Sequence, residues 1–329
     1  MRAVFPRARS WVFALPVLVA LAACDRTPTE PFPDPFAAAK GGHPPAKPVV
    51  SKIAFGSDHQ GFTGIYVVDP DGQNLALVTM PPVNRSDMEP SLSPGAAKVV
   101  FTRANSSAET SELYIATVNN GQTQQLTNFG VLTGSPALSP DGKKVAFVSD
   151  KVHPGAAAQV NVYVMNLDGS GLELVDSTMR GSRPAWSADG SKLYYTTGLF
   201  LSGVHNYAIM IKELATGITT PKWWSPYSMV SNPVIDHVTG RVMFEQHPLD
   251  QMNPVLFLAP DSGVGQVLPV GDARVGGFNK DGSRFVFAPI FPSPVALRVI
   301  DMTSVGQGTL VVTDLPTPAL WAQAPTWSR

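Results

Sequence analysis

Residues Ser135 to Val175 decide the fold; they read S-P-A-L-S-P-D-G-K-K-V-A-F-V-S-D, then a loop, then N-V-Y-V-M-N-L-D-G-S-G-L-E-L-V. Short apolar runs alternate here with turn signals. In Ser139-Pro140-Asp141-Gly142 the Pro fixes φ, the Asp can bond its own backbone, and the Gly accepts a positive φ. Asp168-Gly169 is a dipeptide that joins antiparallel strands. The stretch therefore predicts one four-stranded antiparallel sheet.

The same unit recurs along most of the chain. Residues 184–195 repeat its opening almost letter for letter, residues 90–101 and 278–287 repeat it with looser turns, and residues 232–244 are the most degraded copy. An aromatic residue occupies one register of every copy, at intervals of 43 to 49 residues: Phe55, Phe101, Phe147, Tyr195, Phe244 and Phe287. A four-stranded repeat of about 40–50 residues is typical of a propeller blade.

The two ends of the repeat region complement each other. The chain stops at Ala324-Pro325-Thr326-Trp327-Ser328-Arg329, which is the first strand of a repeat, and the region starts near Val49 at a second strand. Together they complete one blade if the ring closes, and closure removes open sheet edges. We therefore predict an all-β, six-bladed β-propeller of four-stranded antiparallel blades, closed by N- and C-terminal strands that share one blade.

The strands of this propeller are expected to be buried on both faces. Val145-Ala146-Phe147-Val148 is apolar at consecutive positions, whereas a strand with one wet face would alternate. The aromatic register is therefore interpreted as core, not as a platform that stacks on a ligand.

Composition narrows the class of protein. Hydrophobic residues make up 44% of the chain and charged residues only 15%, so it can bury a sizeable core and is not disordered. The formal net charge of −1 provides no basic stripe, and this argues against nucleic acid as a partner.

The N-terminal residues form a targeting segment. Arg2, Arg7 and Arg9 precede an apolar run of 13 residues that ends in Leu21-Ala22-Ala23-Cys24. This order resembles the bacterial lipoprotein signal, which implies cleavage before Cys24 and lipid on its sulfur; the alternative is an ordinary secretory signal with a stray Cys. We divide the chain into a signal peptide (1–23), a Pro-rich tether that begins at the lipidated Cys (24–48) and the propeller (49–329). An N-terminal arm packed on the propeller is the alternative to a tether.

The repeat resembles a known family. P-A-L-S-P-D-G-K-K-V-A-F-V-S-D, followed by N-V-Y-V-M-N-L-D-G, is similar to the repeat of TolB-type propellers, the WD-like β-propeller repeat of the bacterial envelope. S-D-H-Q-G-F-T-G-I-Y-V-V-D-P-D-G at residues 57–72 matches the same pattern. The resemblance covers about residues 49 to 329 and implies a six-bladed fold and export. It leaves the function open, because this repeat occurs in binding scaffolds and in enzymes.

The loops that connect blades supply the candidate binding residues. We predict these loops at residues 80–88, 128–134, 176–183, 221–232, 269–277 and 314–324. They lie on the face that carries the longer loops, and such loops on a rigid frame commonly bind partners. Arg and Trp are favoured anchors at interfaces. The candidates are Arg85, Arg180, Arg183, Trp223, Trp224, Tyr227, Arg274 and Trp321. The alternative is that the Trp side chains plug the channel or pack between blades.

A second set of loops, within blades, carries four of the six histidines. These weak candidates for a metal site are His59, His153, His205 and His247. A metal site needs side chains that converge on one ion, and these show no close ligand spacing. We interpret them as solvated loop residues and expect neither metal nor cofactor. The sequence also lacks G-x-S-x-G, H-E-x-x-H and C-x-x-C, so no catalytic residue is assigned.

Two functional hypotheses remain. The first is a lipid-anchored, monomeric protein of the bacterial envelope, on its periplasmic or extracellular face, which binds a protein or peptide through the long-loop face. The second is an envelope enzyme, a metal-assisted lyase or hydrolase that acts on polysaccharide or peptide at the channel mouth. Clustered carboxylates and histidines within bonding reach would favour chemistry, and an Arg/Trp rim would favour binding.

Overall fold

The fold is built almost entirely from β-strands. A computed structural model describes residues 51–152, 160–176, 182–201, 204–225, 228–248, 253–260, 265–290, 296–317 and 322–328. Within these ranges the helical segments are two short 3-10 helices, Pro94–Ala96 and Met302–Ser304. Across the same residues, no helix is both long enough and apolar enough to cross a membrane.

Four of the sheets contain four antiparallel strands each. The first combines β1 (Ile53–Ser57), β2 (Gly64–Val68) and β3 (Ala76–Leu77) with the last strand, β23 (Ala322–Trp327). The second contains β4 (Arg85–Leu92), β5 (Lys98–Asn105), β6 (Thr110–Thr117) and β7 (Thr123–Gln125). The third contains β8 (Thr133–Leu138), β9 (Lys144–Ser149), β10 (Asn161–Asn166) and β11 (Glu173–Asp176). The fourth contains β12 (Ser182–Trp186), β13 (Lys192–Leu201), β14 (Val204–Glu213) and β15 (Thr219–Ser225).

The fifth sheet has seven strands because one strand serves two groups. Its members are β16 (Ser228–Ile235), β17 (Val242–Pro248), β18 (Val255–Ala259), β19 (Gln266–Phe278), β20 (Arg284–Pro289), β21 (Arg298–Asp301) and β22 (Val312–Asp314). The first half of β19 pairs with β18, and the half from Ala273 onward pairs with β20. The prediction of an all-β fold with four-stranded antiparallel sheets is confirmed.

Two predicted connecting loops are wrong in extent. Residues 269–277 lie inside β19, and residues 221–232 lie mostly in β15 and β16. Residues 223–225 pair with β14, residues 228–231 with β17, and residues 272–274 with β18 or β20, so the sheet and not a loop orients these side chains.

The turn predicted at Ser139 forms as its residues dictate. Gly142 has φ 68°, and its amide donates to the Ser139 carbonyl at 2.9 Å. The Asp141 carboxylate accepts from Ser139 Oγ (2.6 Å) and from the Lys143 amide (3.0 Å). These contacts close the β8–β9 hairpin without help from the rest of the molecule, because all the partners lie within six residues.

The core lies between the sheets. Six hydrophobic clusters each combine residues of successive sheets or strand groups. Within β1, Ile53 and Phe55 belong to a cluster with Val286, whereas Ala54 between them belongs to a cluster with Phe101. Strands are therefore buried on both faces. All six residues of the aromatic register are at most 1% exposed, which confirms that they are core.

The first and last strands lie side by side. Ile53 pairs with Trp327 and Ala54 with Thr326, and Trp327 Nε1 donates to Ser51 Oγ at 2.7 Å. The innermost strands of successive groups also contact one another in order: β4 with β8, β8 with β12, β12 with β16, β16 with β19, β19 with β23, and β23 with β4.

Candidate functional site

A β-bulge interrupts the pairing of each innermost strand at an equivalent position. In five of the six, the second bulged residue is proline: Pro90, Pro136, Pro184, Pro233 and Pro325. Proline has no N–H to donate to the neighbouring strand, so the backbone hydrogen bonding is interrupted at that residue. A bulge re-aims the neighbouring side chain. Glu89, Ser135 and Asn232, which precede three of these prolines, have φ between 52° and 54°.

The sixth bulge has glycine for a steric reason. A Cβ on Gly276 would lie 2.1 Å from the Val286 carbonyl oxygen and 2.8 Å from Pro325 Cγ. No side chain fits there. This strand therefore makes its bulge with Val275-Gly276, where the other five use a residue followed by proline.

The bulged strands surround a narrow central cavity. Described residues of all six innermost strands line it, and its volume is about 60 Å³. Ligand pockets are typically about 300–1,000 Å³, so this space holds a few water molecules and no larger ligand. A ligand larger than a few water molecules would have to bind at the ends of the strands and not within this cavity.

A buried carboxylate organises the charges beside the bulges. The Glu245 side chain in β17 is 2% exposed. It accepts from the Val275 amide (3.0 Å) and from Arg274 Nη1 (3.2 Å), and it lies 3.6 Å from His247 Nε2. Burial alone would raise the pKa of Glu245. The His247 hydrogen bond, the Arg274 and Arg183 charges and the Val275 amide outweigh burial and lower that pKa below its ordinary value.

Arg183 links this carboxylate to a second one. Its Nη2 lies 3.8 Å from Glu89 Oε1, and its charge also acts on Glu245. Glu89 Oε2 in turn accepts from Thr102 Oγ1 (2.9 Å) and the Ser135 amide (2.7 Å). We call Glu89, Arg183, Glu245, His247 and Arg274 the charged cluster. It brings together side chains from β4, β12, β17 and β19.

Ser231 and Glu245 both contact His247 beside the charged cluster, but not in the arrangement of a hydrolase. Ser231 Oγ lies 3.2 Å from His247 Nε2, and Glu245 Oε2 lies 3.6 Å from the same nitrogen. A catalytic histidine uses one ring nitrogen for the nucleophile and the other for the acid that orients it. Here a single nitrogen faces both groups, so the arrangement positions charge and does not activate Ser231.

The two adjacent tryptophans, Trp223 and Trp224, have different environments in the structure. The Trp223 ring packs at 5.0 Å from Phe257 and 6.0 Å from Phe244, within the cluster between β14 and β16–β18. Trp223 is therefore partly buried between strand groups, and its role as a binding residue stays a prediction. Trp224 follows on β15 with the opposite orientation and is 56% exposed.

The other predicted residues have mixed outcomes. Arg183 and Arg274 join the charged cluster, and the half-buried Arg85 opens β4. His59 is exposed with its ring edge toward Tyr66, and His205 and His247 lie in β14 and β17 and not in loops. Arg180, Tyr227, Trp321, His153 and Cys24 lie outside the described residues, as does the His205 side chain. In the described part of the chain, no three His, Cys, Asp or Glu side chains are grouped to hold a metal.

Glu89 and Glu245 were not singled out from the sequence. Glu89 had a detectable signal, because it occupies the position before the repeated proline, as do Ser135, Arg183, Asn232 and Ala324. Glu245 had no such sequence signal, because it is marked only by its position after the buried aromatic Phe244 in β17.

Comparisons with known proteins agree with this architecture. Residues 51–199 match the family model of the TolB beta propeller domain. The crystal structure of TolB from Acinetobacter baumannii superposes with a TM-score of 0.68 at 16% identity, over 84% of this chain and 66% of that one. The fold is thus a β-propeller.

Curated relatives match a shorter region. "Tol-Pal system protein TolB" of Francisella tularensis subsp. tularensis (strain WY96-3418) is 29% identical over 111 residues, which are 34% of this chain and 24% of that protein. "Uncharacterized peptidase YuxL" of Bacillus subtilis (strain 168) is 29% identical over 116 residues, 34% of this chain and 17% of that protein. This chain thus matches no more than a quarter of either relative. Together with the family match, these similarities make the propeller TolB-like.

Proposed function

We propose that this chain is a lipid-anchored protein of the bacterial envelope whose propeller binds a protein or peptide segment through the charged cluster. The observation that carries the proposal is the convergence of Arg183 and Arg274 on the buried Glu245 beside the central cavity. Glu245 holds the Arg274 guanidinium through a hydrogen bond, and Glu89 pairs with that of Arg183, so less side-chain freedom is lost when a partner binds.

The charged cluster offers donors to an incoming chain. Arg274 is 50% exposed, and its guanidinium has five N–H groups, of which the structure commits one to Glu245. Arginine binds carboxylates and carbonyl oxygens through such forks and is enriched among interface anchors. We therefore propose that the bound segment presents an acidic side chain or a terminal carboxylate to Arg183 and Arg274.

We also propose that the propeller has six blades and closes through its chain ends. The cyclic order of contacts among β4, β8, β12, β16, β19 and β23 supports this. So does the antiparallel pairing of β1 with β23, and so does the division of β19 between two groups of strands. A closed ring leaves only outer strands as edges, and a monomer is the expected state.

The anchor is proposed from the sequence at Cys24. Cleavage before this residue and acylation of its sulfur would tether the propeller on the periplasmic or extracellular face. Mass spectrometry of the mature protein tests this: a lipid-modified Cys24 is expected, and the Cys24→Ser variant should be released from membranes. An unmodified Cys24 in membrane-bound protein would reject the anchor.

The binding proposal is tested by affinity capture from envelope extracts. The Arg183→Ala/Arg274→Ala variant should lose the captured partner, whereas Arg284→Ala should retain it. Arg284 is a matched control, because it is exposed and lies at the turn end of β20, away from the charged cluster. Equal capture by the unmodified protein and by both variants would reject the charged cluster as the binding site.

A further inference from the structure

A second and larger cavity lies between the sheets β4–β7 and β8–β11. Its volume is about 520 Å³, and it opens to solvent. It is separate from the central cavity: Glu89 lines the larger cavity, and the next residue, Pro90, lines the central one. Met88, Thr102 and Ala104 line one wall, and Leu132, Val148 and Val160 are among the residues of the other.

The cavity exists because small side chains face each other where the two sheets meet. Thr102 pairs with Met88, and Ala104 pairs with Ser86 and Ser111, so one face of the β4–β6 layer carries mostly small groups. Gly134 completes the opposite wall. A Cβ there would lie 3.1 Å from Thr102 Oγ1 and 3.2 Å from Glu89 Oε2, so any larger residue would crowd the inner end.

The lining has a defined chemistry. Most of it is apolar, and its ionisable groups among the described residues are two carboxylates, Glu89 and Glu109. No lysine or arginine lines it within the described ranges. Arg103 belongs to β5 as well, but it lies on the opposite face of the strand, where it is held by Asp87. A ligand that suits this lining is apolar over most of its surface and positively charged at one end.

Glu89 is fixed in a position to receive that charge. Its oxygens accept from Thr102 Oγ1, the Ser135 amide and Ser135 Oγ at 2.7–3.2 Å. The side chain is still 28% exposed. Arg183 Nη2 lies 3.8 Å from Glu89 Oε1, beyond hydrogen-bond distance. A carboxylate has about four acceptor sites, so three hydrogen bonds leave room for one further donor. Glu109 is exposed at the rim and adds negative potential.

We propose that this cavity is a binding site for a small organic cation of the arylalkyl- or alkylammonium type. Its apolar part packs among Met88, Leu132, Val148 and Val160, and its ammonium group faces Glu89. The volume falls within the range of small-molecule sites, about 300–1,000 Å³. This site shares Glu89 with the charged cluster, and its other lining residues lie outside that cluster.

A charge series tests the proposal with the purified protein. Isothermal titration calorimetry would compare phenethylamine, 2-phenylethanol and 3-phenylpropanoate, which share an aromatic ring and differ in charge. A hydrogen bond to a charged group predicts that phenethylamine binds about tenfold more tightly than the alcohol and more tightly still than the anion. Equal affinities, preference for the anion, or no binding of phenethylamine at millimolar concentration would overturn the proposal.

Variants locate the site. Ala104→Phe fills the cavity and should abolish phenethylamine binding. Glu109 is exposed, so Glu109→Gln leaves folding intact and should weaken phenethylamine binding severalfold. Glu89→Gln should weaken it about tenfold. Glu173→Gln is the matched control on exposed β11 and should bind as the unmodified protein does. If Glu89→Gln and Glu109→Gln both bind like the control, the cation site is wrong.

Discussion

Replacing Glu245 with glutamine removes the charge that organises the cluster and keeps its shape. A hydrogen bond to a charged group contributes about 1.5–3 kcal/mol. Arg274 is half exposed and can return to water, so the main loss comes from the buried Val275 amide and from His247. We expect Glu245→Gln to lower the free energy of unfolding by about 2 kcal/mol at pH 7.

The loss should depend on pH. The folded pKa of Glu245 lies below its ordinary value of 4.5, so the carboxylate stabilises the fold fully above pH 4.5. That contribution disappears as the pH falls through the lowered pKa. Urea unfolding at pH 7 would therefore show a difference in the free energy of unfolding between the unmodified protein and Glu245→Gln. That difference narrows as the pH falls below 4.5 and through the lowered pKa of Glu245.

An exposed carboxylate provides the control. Glu213 pairs with Lys192 at 3.4 Å, and both side chains are more than 40% exposed. Such a pair contributes about 0–1 kcal/mol, so Glu213→Gln should have little effect. The reasoning would be refuted if Glu245→Gln lost the same free energy of unfolding at every pH, or lost no more than Glu213→Gln.

Three further predictions concern the frame around the charged cluster. Asp87→Ala removes the two hydrogen bonds that Asp87 accepts from the largely buried Arg103 and should lower the free energy of unfolding in urea by about 3–5 kcal/mol; a loss under about 1 kcal/mol would contradict this prediction. Trp223→Ala should cost about 3 kcal/mol and Trp224→Ala under about 1 kcal/mol by calorimetry, and equal losses would contradict the packing. Gly276→Ala places a Cβ 2.1 Å from a carbonyl and should cost over about 2 kcal/mol by thermal circular dichroism, so a native-like melting curve would count against the bulge geometry.

The fold was accessible from the sequence because its signals are local. The Asp141-Gly142 turn is closed by partners within six residues, and Phe147 stands in a run that is apolar at consecutive positions. Each repeat carries the same turn residues and buried aromatic, so recognising one repeat was enough to find the others by comparison. The strand limits were less accessible: β19 extends through a predicted loop because two neighbours continue its pairing.

The charged cluster was only half accessible, because it depends on contacts between distant parts of the chain. Arg274 and Glu245 are 29 residues apart and meet only once β17 and β19 are packed. Trp223 and Trp224 have the same residue type, yet successive strand positions point to opposite faces. Trp223 therefore packs against a core cluster, and Trp224 is exposed. When both residues are assigned to a loop, the alternation of side chains between the two faces of a strand is no longer expected, and the two tryptophans cannot be told apart.

The central claim is that a partner binds at the charged cluster. A photoreactive amino acid at Met229 tests it, because Met229 is 40% exposed and pairs directly opposite His247. Val238, 62% exposed in the turn after the same strand, is the control position. Irradiation of cells should cross-link the partner from Met229 and not from Val238. Cross-linking from Val238 alone, or equally from both positions, would contradict the account.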